Sequence, residues 1–298
     1  MISVNEAFYK FRTKLETTAT EDASASSRQK RIREQLDADD TLDITRDFLT
    51  GAYRRHTKTK PLRDVDIMIV LGNTDYLDRH PHDILEVVRA ALVPYYGASR
   101  VCCDRRAVRV DFGVRIVDDV SDADEVVSFD VVPAFVNDDH YLIPDDVTGE
   151  WVHTNPELHY DAARDANEGF AGQWKPLVKM IKKWNQVSGR PVEPSFLIEV
   201  MALKLITGPW TGSHPRELRQ FFASAASRIN EGWPDPARIG PDVSDVVDND
   251  PAKMDTARKA LRAAEAACTA AINLDRAGRT GEALTAWRAL FGPLFPLS

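Results

Sequence analysis

The rhythm of apolar and polar positions changes about half-way along the chain. In the first half, runs dense in β-branched residues occur at 65–71, 107–116 and 126–132, each ending near Gly, Pro or Asp. Such side chains suit a pleated, half-buried surface, so these runs predict strands. Beyond residue 150 the apolar positions recur at three- and four-residue spacing. Trp174, Leu177, Val178, Ile181 and Trp184 form one such series, and Ala257, Leu261, Ala264, Cys268 and Ala271 another. That is the period of a helix with one buried face. The second series follows Asp250-Pro251, a capping residue and a first-turn proline. Helix is also expected at 7–16 and at about 23–48, with a break near residue 40 in Asp37-Ala-Asp-Asp-Thr41. The pattern reads as α+β: an N-terminal helical segment and a small mixed sheet in residues 1–150, then a helical half in residues 151–298.

Composition narrows the function classes. With 298 residues, 43% hydrophobic and 28% charged, the chain has globular proportions and enough length for a substantial core. Its formal net charge of −8 gives no chain-wide positive field for duplex DNA or an anionic bilayer. An anionic substrate therefore needs a local site, with metal ions to help hold it. Three cysteines, two of them adjacent at Cys102 and Cys103, make neither a disulfide framework nor a C-x-x-C pair. No stretch approaches the roughly 18 apolar residues of a membrane span, and the first residues lack the pattern of an export signal. A cytoplasmic protein is expected.

The chemistry-bearing run lies at 48–70. Asp64 and Asp66 stand two apart at the head of an apolar strand. Their carboxylates therefore leave the same face, with Cα atoms about 6.6 Å apart. Such a pair suits hard divalent cations, and two metal ions about 3.5–4 Å apart are what phosphoryl transfer uses to align and neutralise its reactants. For a third carboxylate Asp130 is the first candidate, an acid inside an apolar strand where it is costly without a cation, and Asp111 is the rival. Gly51, 13 residues before Asp64, is placed to bring backbone N–H groups against phosphate. Blander readings stand beside these: Asp-x-Asp pairs also occur at strand edges, and a single glycine is commonly a turn.

In the second half, Lys175, Lys179 and Lys182 form a basic stripe opposite the apolar one. A solvated face is the default reading and triphosphate binding the sharper one. Ser195 reads as a helix N-cap, a position whose neighbouring N–H groups also suit phosphate. His80 and His82 in a polar loop, and His153 and His159 near residue 150, read as surface or core residues. The acidic run 118–125 lacks the glycine and terminal Glu of a calcium loop and reads as a solvated hairpin.

Taken together, these motifs resemble the DNA-polymerase-β-like nucleotidyltransferases, and within them the bacterial CD-NTases (the SMODS group), relatives of cyclic GMP-AMP synthase and oligoadenylate synthetase. The carriers are Gly51-Ala-Tyr-Arg-Arg-His-Thr57, Arg63-Asp-Val-Asp-Ile67, Phe129-Asp-Val-Val-Pro-Ala134, Trp151-Val-His-Thr-Asn-Pro156, Leu177-Val-Lys-Met-Ile-Lys-Lys-Trp-Asn185, Pro194-Ser-Phe-Leu-Ile-Glu199 and the C-terminal run 283–292. The resemblance implies a two-lobed polymerase-β-like enzyme: a catalytic core (1–150) and a helical, oligoadenylate-synthetase-like domain (151–298) that completes a nucleotide cleft. It implies two Mg²⁺ (or Mn²⁺) ions on Asp64, Asp66 and Asp130, and a nucleotide site at Gly51, Ala52, Tyr53, Thr57, Lys182 and Ser195. The implied reaction joins NTPs into a cyclic di- or trinucleotide, or a short linear oligomer, that signals in antiphage defence. Its implied partners are NTPs and regulatory or effector proteins of a defence operon, with no membrane and no stable sequence-specific nucleic acid. Transfer to an RNA 3′ end, a protein or a small molecule is the alternative within enzymes, and a nucleotide-binding pseudoenzyme the alternative outside them. One position departs from the family: Ala52 stands where Ser is usual. A lost hydrogen bond to a charged group costs roughly 1.5–3 kcal/mol unless Thr50, Tyr53 or Thr57 replaces it.

Overall fold

A computed structural model describes residues 2–39, 41–60, 62, 64–114 and 127–298. The elements run α1 (Val4–Lys14), α2 (Ala19–Asp37), β1 (Ile44–Thr50), α3 (Gly51–Arg54), β2 (Asp64–Leu71), α4 (Pro81–Tyr96), β3 (Val101–Asp104), β4 (Ala107–Asp111), β5 (Ser128–Asn137), β6 (His140–Asp145) and β7 (Glu150–Thr154). Helices follow: α5 (Pro156–Gly169), α6 (Trp174–Val187), α7 (Ser195–Leu205), α8 (His214–Arg228), α9 (Asp245–Asp248), α10 (Pro251–Arg276) and α11 (Thr280–Phe291). The architecture is α+β, a mixed sheet joined to a helical half.

In the sheet the order is β1-β2-β5-β4-β3, with β6 beside the end of β5 and β7 beside β6. Among the described strands only β2 and β5 run parallel to each other. Alternation along β2 divides its side chains between two layers. Val65, Ile67, Ile69 and Leu71 pack under α2 and α4, whereas Met68 and Val70 join Ala134, Tyr141 and Ile143 on the opposite face. With a period of two, Asp64 and Asp66 take the face of Met68 and Val70. Pro133 pairs in register with Ile69 of β2, while on the other edge β4 pairs no further than Val131 and β6 begins at Phe135, so on that edge no ladder partner loses a donor.

Two expectations need correction. The helical run expected to reach residue 48 stops at Asp37, and 44–50 is the edge strand β1. Phe48 packs on one face of the sheet and Leu49 on the other, a division of neighbours that a strand permits and a helix does not. His80 and His82 do not sit in a loop but open α4, where His80 is the N-cap and its Nδ1 accepts the His82 N–H at 3.2 Å, ahead of Pro81 in the first turn. The strand expected at 107–116 ends as β4 at Asp111, and that at 126–132 continues to Asn137. The acidic run 118–125 lies outside the described residues. Expected helices at 174 and 251 are present as α6 and α10.

Although first in sequence, α1 packs with the helical half. Phe8 and Phe11 are fully buried among Trp287, Phe291 and Phe295. His214 at the head of α8 stacks on Phe8 with centroids 5.8 Å apart. Burial, and then the nearby Arg12, pull its imidazole down to about 4. The unfolded chain takes up that proton near pH 6.5, so His214 favours the fold fully above that pH and progressively less below it. Stability should therefore fall by about 3 kcal/mol through this group between pH 6.5 and pH 4. In denaturant titrations across this window, His214→Asn should show a visibly shallower decline than the native chain.

Candidate active site

The site grows from the turn between β1 and β2. Gly51, directly after β1, has φ +64°, and a Cβ built there would lie 1.7 Å from Asp66 Oδ2. The Asp66 carboxylate thus rests against a backbone that only glycine can supply. In the β1/β2 register Thr50 faces Asp66, and in the parallel β2/β5 register Asp66 faces Asp130. The two strands therefore set Asp130 beside Asp66. Asp111 pairs with Ser128 at the exposed end of β4, and its Oδ1 accepts the Gly113 N–H at 2.6 Å. Of the two candidate third acids, Asp130 is the one beside Asp66.

Cations answer these acids. Lys58 Nζ lies 3.1 Å from Asp64 Oδ1 and holds that carboxyl below the usual range against the opposing effect of burial. Arg109, opposite Asp130 on β4, donates from Nε at 2.9 Å and Nη2 at 3.2 Å to its two oxygens. Among the described residues no cation is hydrogen-bonded to Asp66. Burial pushes it up to about 6, with Lys58 opposing and the charges of Asp64 and Asp130 reinforcing the rise. A carboxyl in this setting is one that a cation would stabilise in its ionised form.

Across the cleft, α6 and α7 supply the other wall. Glu199 is 1% exposed and receives Arg55 Nε at 2.9 Å, Arg55 Nη2 at 3.0 Å and Lys182 Nζ at 2.5 Å. The expected solvated lysine stripe is thus overturned for most of its length. Lys182 is buried against Glu199, Lys179 is buried against Glu16, and only Lys175 stays partly exposed. Burial lowers the Lys182 ammonium despite the attraction of Glu199. Ser195 is not the N-cap of α7. Pro194 holds that position and Ser195 is the first helical residue, with no capping bond from its side chain.

Between these walls lies a cavity of about 430 Å³, lined by Gly51, Ala52, Asp64, Asp66, Lys182 and Ser195 among others. Asp130, Tyr53 and Thr57 stand outside the lining. The Tyr53 hydroxyl donates to Asp22 at 3.1 Å, and the buried Thr57 donates to the Ala52 carbonyl at 3.4 Å. Of the three residues near the missing serine hydroxyl, Thr50 alone lines the cavity. Sequence reasoning passed over Arg55, Lys58, Arg109 and Glu199. Glu199 carried the signal that singled out Asp130, an acid within an apolar run, here Phe196-Leu-Ile-Glu-Val-Met201. It also passed over the pairing of His159 with Asp235 at 2.5 Å, both on the cavity wall. Asp64, Asp66 and Asp130 offer only hard oxygen donors, the set that Mg²⁺ and Mn²⁺ favour. As arranged, with Lys58 and Arg109 on two of them, no three His, Cys, Asp or Glu side chains among the described residues are grouped to hold one ion.

Residues 2–167, more than half of the chain, match the profile of the Second Messenger Oligonucleotide or Dinucleotide Synthetase (SMODS) domain. This chain belongs to the SMODS family. It is a nucleotidyltransferase of the CD-NTase group, which implies metal-dependent catalysis. A Bacillus cereus (strain VD146) protein named "Probable cyclic nucleotide synthase" is 27% identical over 283 residues, spanning 83% of this chain and 81% of that one. The fold is that of the Escherichia coli MS115-1 protein CdnC, solved with ATP (TM-score 0.73, 17% identity, 99% of each chain) and in complex with HORMA-deltaN (TM-score 0.72, 19% identity, 98% of each chain). Among the described residues no helix is long and apolar enough to cross a membrane.

The contact between Gly51 and Asp66 gives a direct test. Gly51→Ala should lower nucleotidyl transfer by at least ~100-fold, because the added Cβ displaces the Asp66 carboxylate from its seat. The melting temperature should fall only a few degrees, and initial rates measured beside thermal melts separate the two effects.

Proposed function

We propose that this SMODS nucleotidyltransferase joins NTPs into a cyclic di- or trinucleotide, or a short linear oligonucleotide, that serves as a second messenger in CBASS-type antiphage signalling. The observation that carries the reading is the facing of two walls. Asp66, flanked by Asp64 and Asp130, rests on Gly51, while Lys182 and Glu199 stand on the far side of the same cleft. In the reaction the 3′ (or 2′) oxygen of one nucleotide bonds to the α-phosphorus of another as the bond to pyrophosphate breaks. The hydroxyl proton leaves toward a base or solvent.

Each side chain then has a role. Asp64, Asp66 and Asp130 would hold two Mg²⁺ (or Mn²⁺) ions, which when bound neutralise the triphosphate and orient the attacking hydroxyl. Asp130, its orientation fixed by Arg109, is the acceptor for that hydroxyl. Lys182, Ser195 and the backbone N–H groups at Gly51-Ala52 bind the donor triphosphate. The buried Arg55–Glu199 pair keeps Lys182 aimed at the cleft. On this reading residues 1–150 beyond α1 form the catalytic lobe, and α1, packed with the helices of residues 151–298, belongs to the part that closes over the nucleotide. CdnC, whose fold this chain shares, has been solved with a HORMA protein, which supports control by a regulatory protein encoded in the same defence operon.

Incubation with all four NTPs and Mg²⁺, followed by mass spectrometry, should yield an oligonucleotide product together with pyrophosphate. Labelling that appears only once RNA, protein or a small-molecule acceptor is added would replace this reading with transfer to that acceptor. The double variant Asp64→Asn with Asp66→Asn should reduce product at least ~1000-fold while retaining a cooperative melt; undiminished synthesis would remove both residues from the mechanism.

A further inference from the structure

A second cavity, of about 630 Å³, opens among α1, α8, α10 and α11 and shares no lining residue with the catalytic cleft. Its walls carry Arg216 and Arg219 from one face of α8 and Arg276 from the end of α10, against the single acid Asp275. Elsewhere on the surface Arg164, Arg228 and Arg279 each find a carboxylate within 3 Å. Among the described residues none of the three cavity arginines makes an ion pair, in a chain whose net charge is −8. Arg216, Arg219 and Arg276 are exposed at the rim, and like charges gathered around one concavity raise the local potential and the affinity for an anion.

The rest of the wall is suited to a small organic molecule. Thr269, Ile272, Asn273 and Arg276 fall at helical spacing on one side of α10, so hydroxyl, amide and guanidinium groups alternate with an apolar contact. Asn5 and Ser213 add polar groups from α1 and the head of α8. Trp287 closes the interior. It is fully buried, and its indole N–H has no acceptor, an orphaned donor of a kind that is rare without a ligand or water nearby. The volume is that of a small-molecule site.

We infer that this cavity is a second ligand site, separate from the catalytic cleft, for a small organic anion carrying at least two phosphate or carboxylate groups. Guanidinium groups on α8 and α10 grip the anionic ends by paired hydrogen bonds, and Trp287 and Ile272 receive the body of the molecule. Since α1, α8, α10 and α11 belong to one packed core with α6 and α7, occupancy braces the helices that carry Lys182 and Glu199. The inference is independent of which product the cleft makes.

Calorimetric titration of the full chain with sodium tripolyphosphate and with sodium citrate, each against sodium chloride of matched ionic strength, tests it. At least one probe should bind, and the preferred probe tells phosphate chemistry from carboxylate. In the triple variant Arg216→Gln, Arg219→Gln, Arg276→Gln, affinity should drop more than 10-fold, or the site count should fall by one where the cleft also binds the probe. Arg276→Gln alone should weaken binding about threefold or more, which serves if the triple variant melts early. Asp64→Asn with Asp66→Asn should leave this site intact. Binding by neither probe, unchanged binding in the cavity variants, or an equal loss in a control variant Arg164→Gln, Arg228→Gln, Arg279→Gln would overturn the assignment.

Discussion

Everything in the cleft is organised around one buried carboxylate. Burial alone would raise the Glu199 carboxyl, yet Arg55 and then Lys182 pull it far below the usual range. The three groups come from separate elements, the end of α3, the middle of α6 and the first turns of α7, so their contact ties the sheet to the helical half. Removing Glu199 leaves two buried cations uncompensated, an effect of about 3–5 kcal/mol, whereas removing either cation leaves the other still paired with it. The triad also decides where Lys182 stands. Without Glu199 to receive it, a long ammonium side chain would swing to water rather than stay buried at the cleft wall.

The same logic of matched charge runs through the site. Lys58 answers Asp64, Arg109 answers Asp130, and Arg55 with Lys182 answers Glu199, and among the described residues Asp66 is the site acid with no hydrogen-bonded cation. A protein holding three acids at neighbouring strand positions must offset their repulsion, and here nearby cations do so without burying an extra ligand set. A nucleoside triphosphate that arrives with divalent cations brings both signs of charge together. It can thus enter a balanced site without leaving either wall in excess.

Economy of backbone explains how so few elements build this arrangement. A period-two strand sends Val65, Ile67 and Ile69 into the core under α2 and α4 while aiming Asp64 and Asp66 toward the cleft. The parallel neighbour β5 places Asp130 level with Asp66. One glycine at positive φ lets the preceding turn approach closely enough to seat the Asp66 carboxylate. The side chain of Ala52 adds no hydroxyl to this turn, so on the proposed reading the donors to phosphate would be backbone N–H groups, Thr50 on the same wall and Lys182 opposite.

Legibility in the sequence followed the range of the interaction. Local patterns were readable: the apolar run behind Asp64 and Asp66, the helical periods of α6 and α10, the proline at the head of α10, and the motif series that resembles CD-NTases. Hydrophobic periodicity and capping act within a few residues, so the chain itself carries them. Strand β1 and the start of α4 were misread because Ile44, Phe48 and Leu49 reveal their period only when paired to β2, and because His80 can cap a helix as well as sit in a loop. The lysine stripe looked solvated, since nothing within α6 announces that Glu199 lies beneath Lys182, 17 residues on. The Asp-x-Asp pair and the apolar faces were legible in the chain, whereas Arg55, Lys58, Arg109 and Glu199 were not. Tertiary structure alone decided which charges meet, because the energy of an ion pair depends on distance and burial in space and leaves no spacing in the chain.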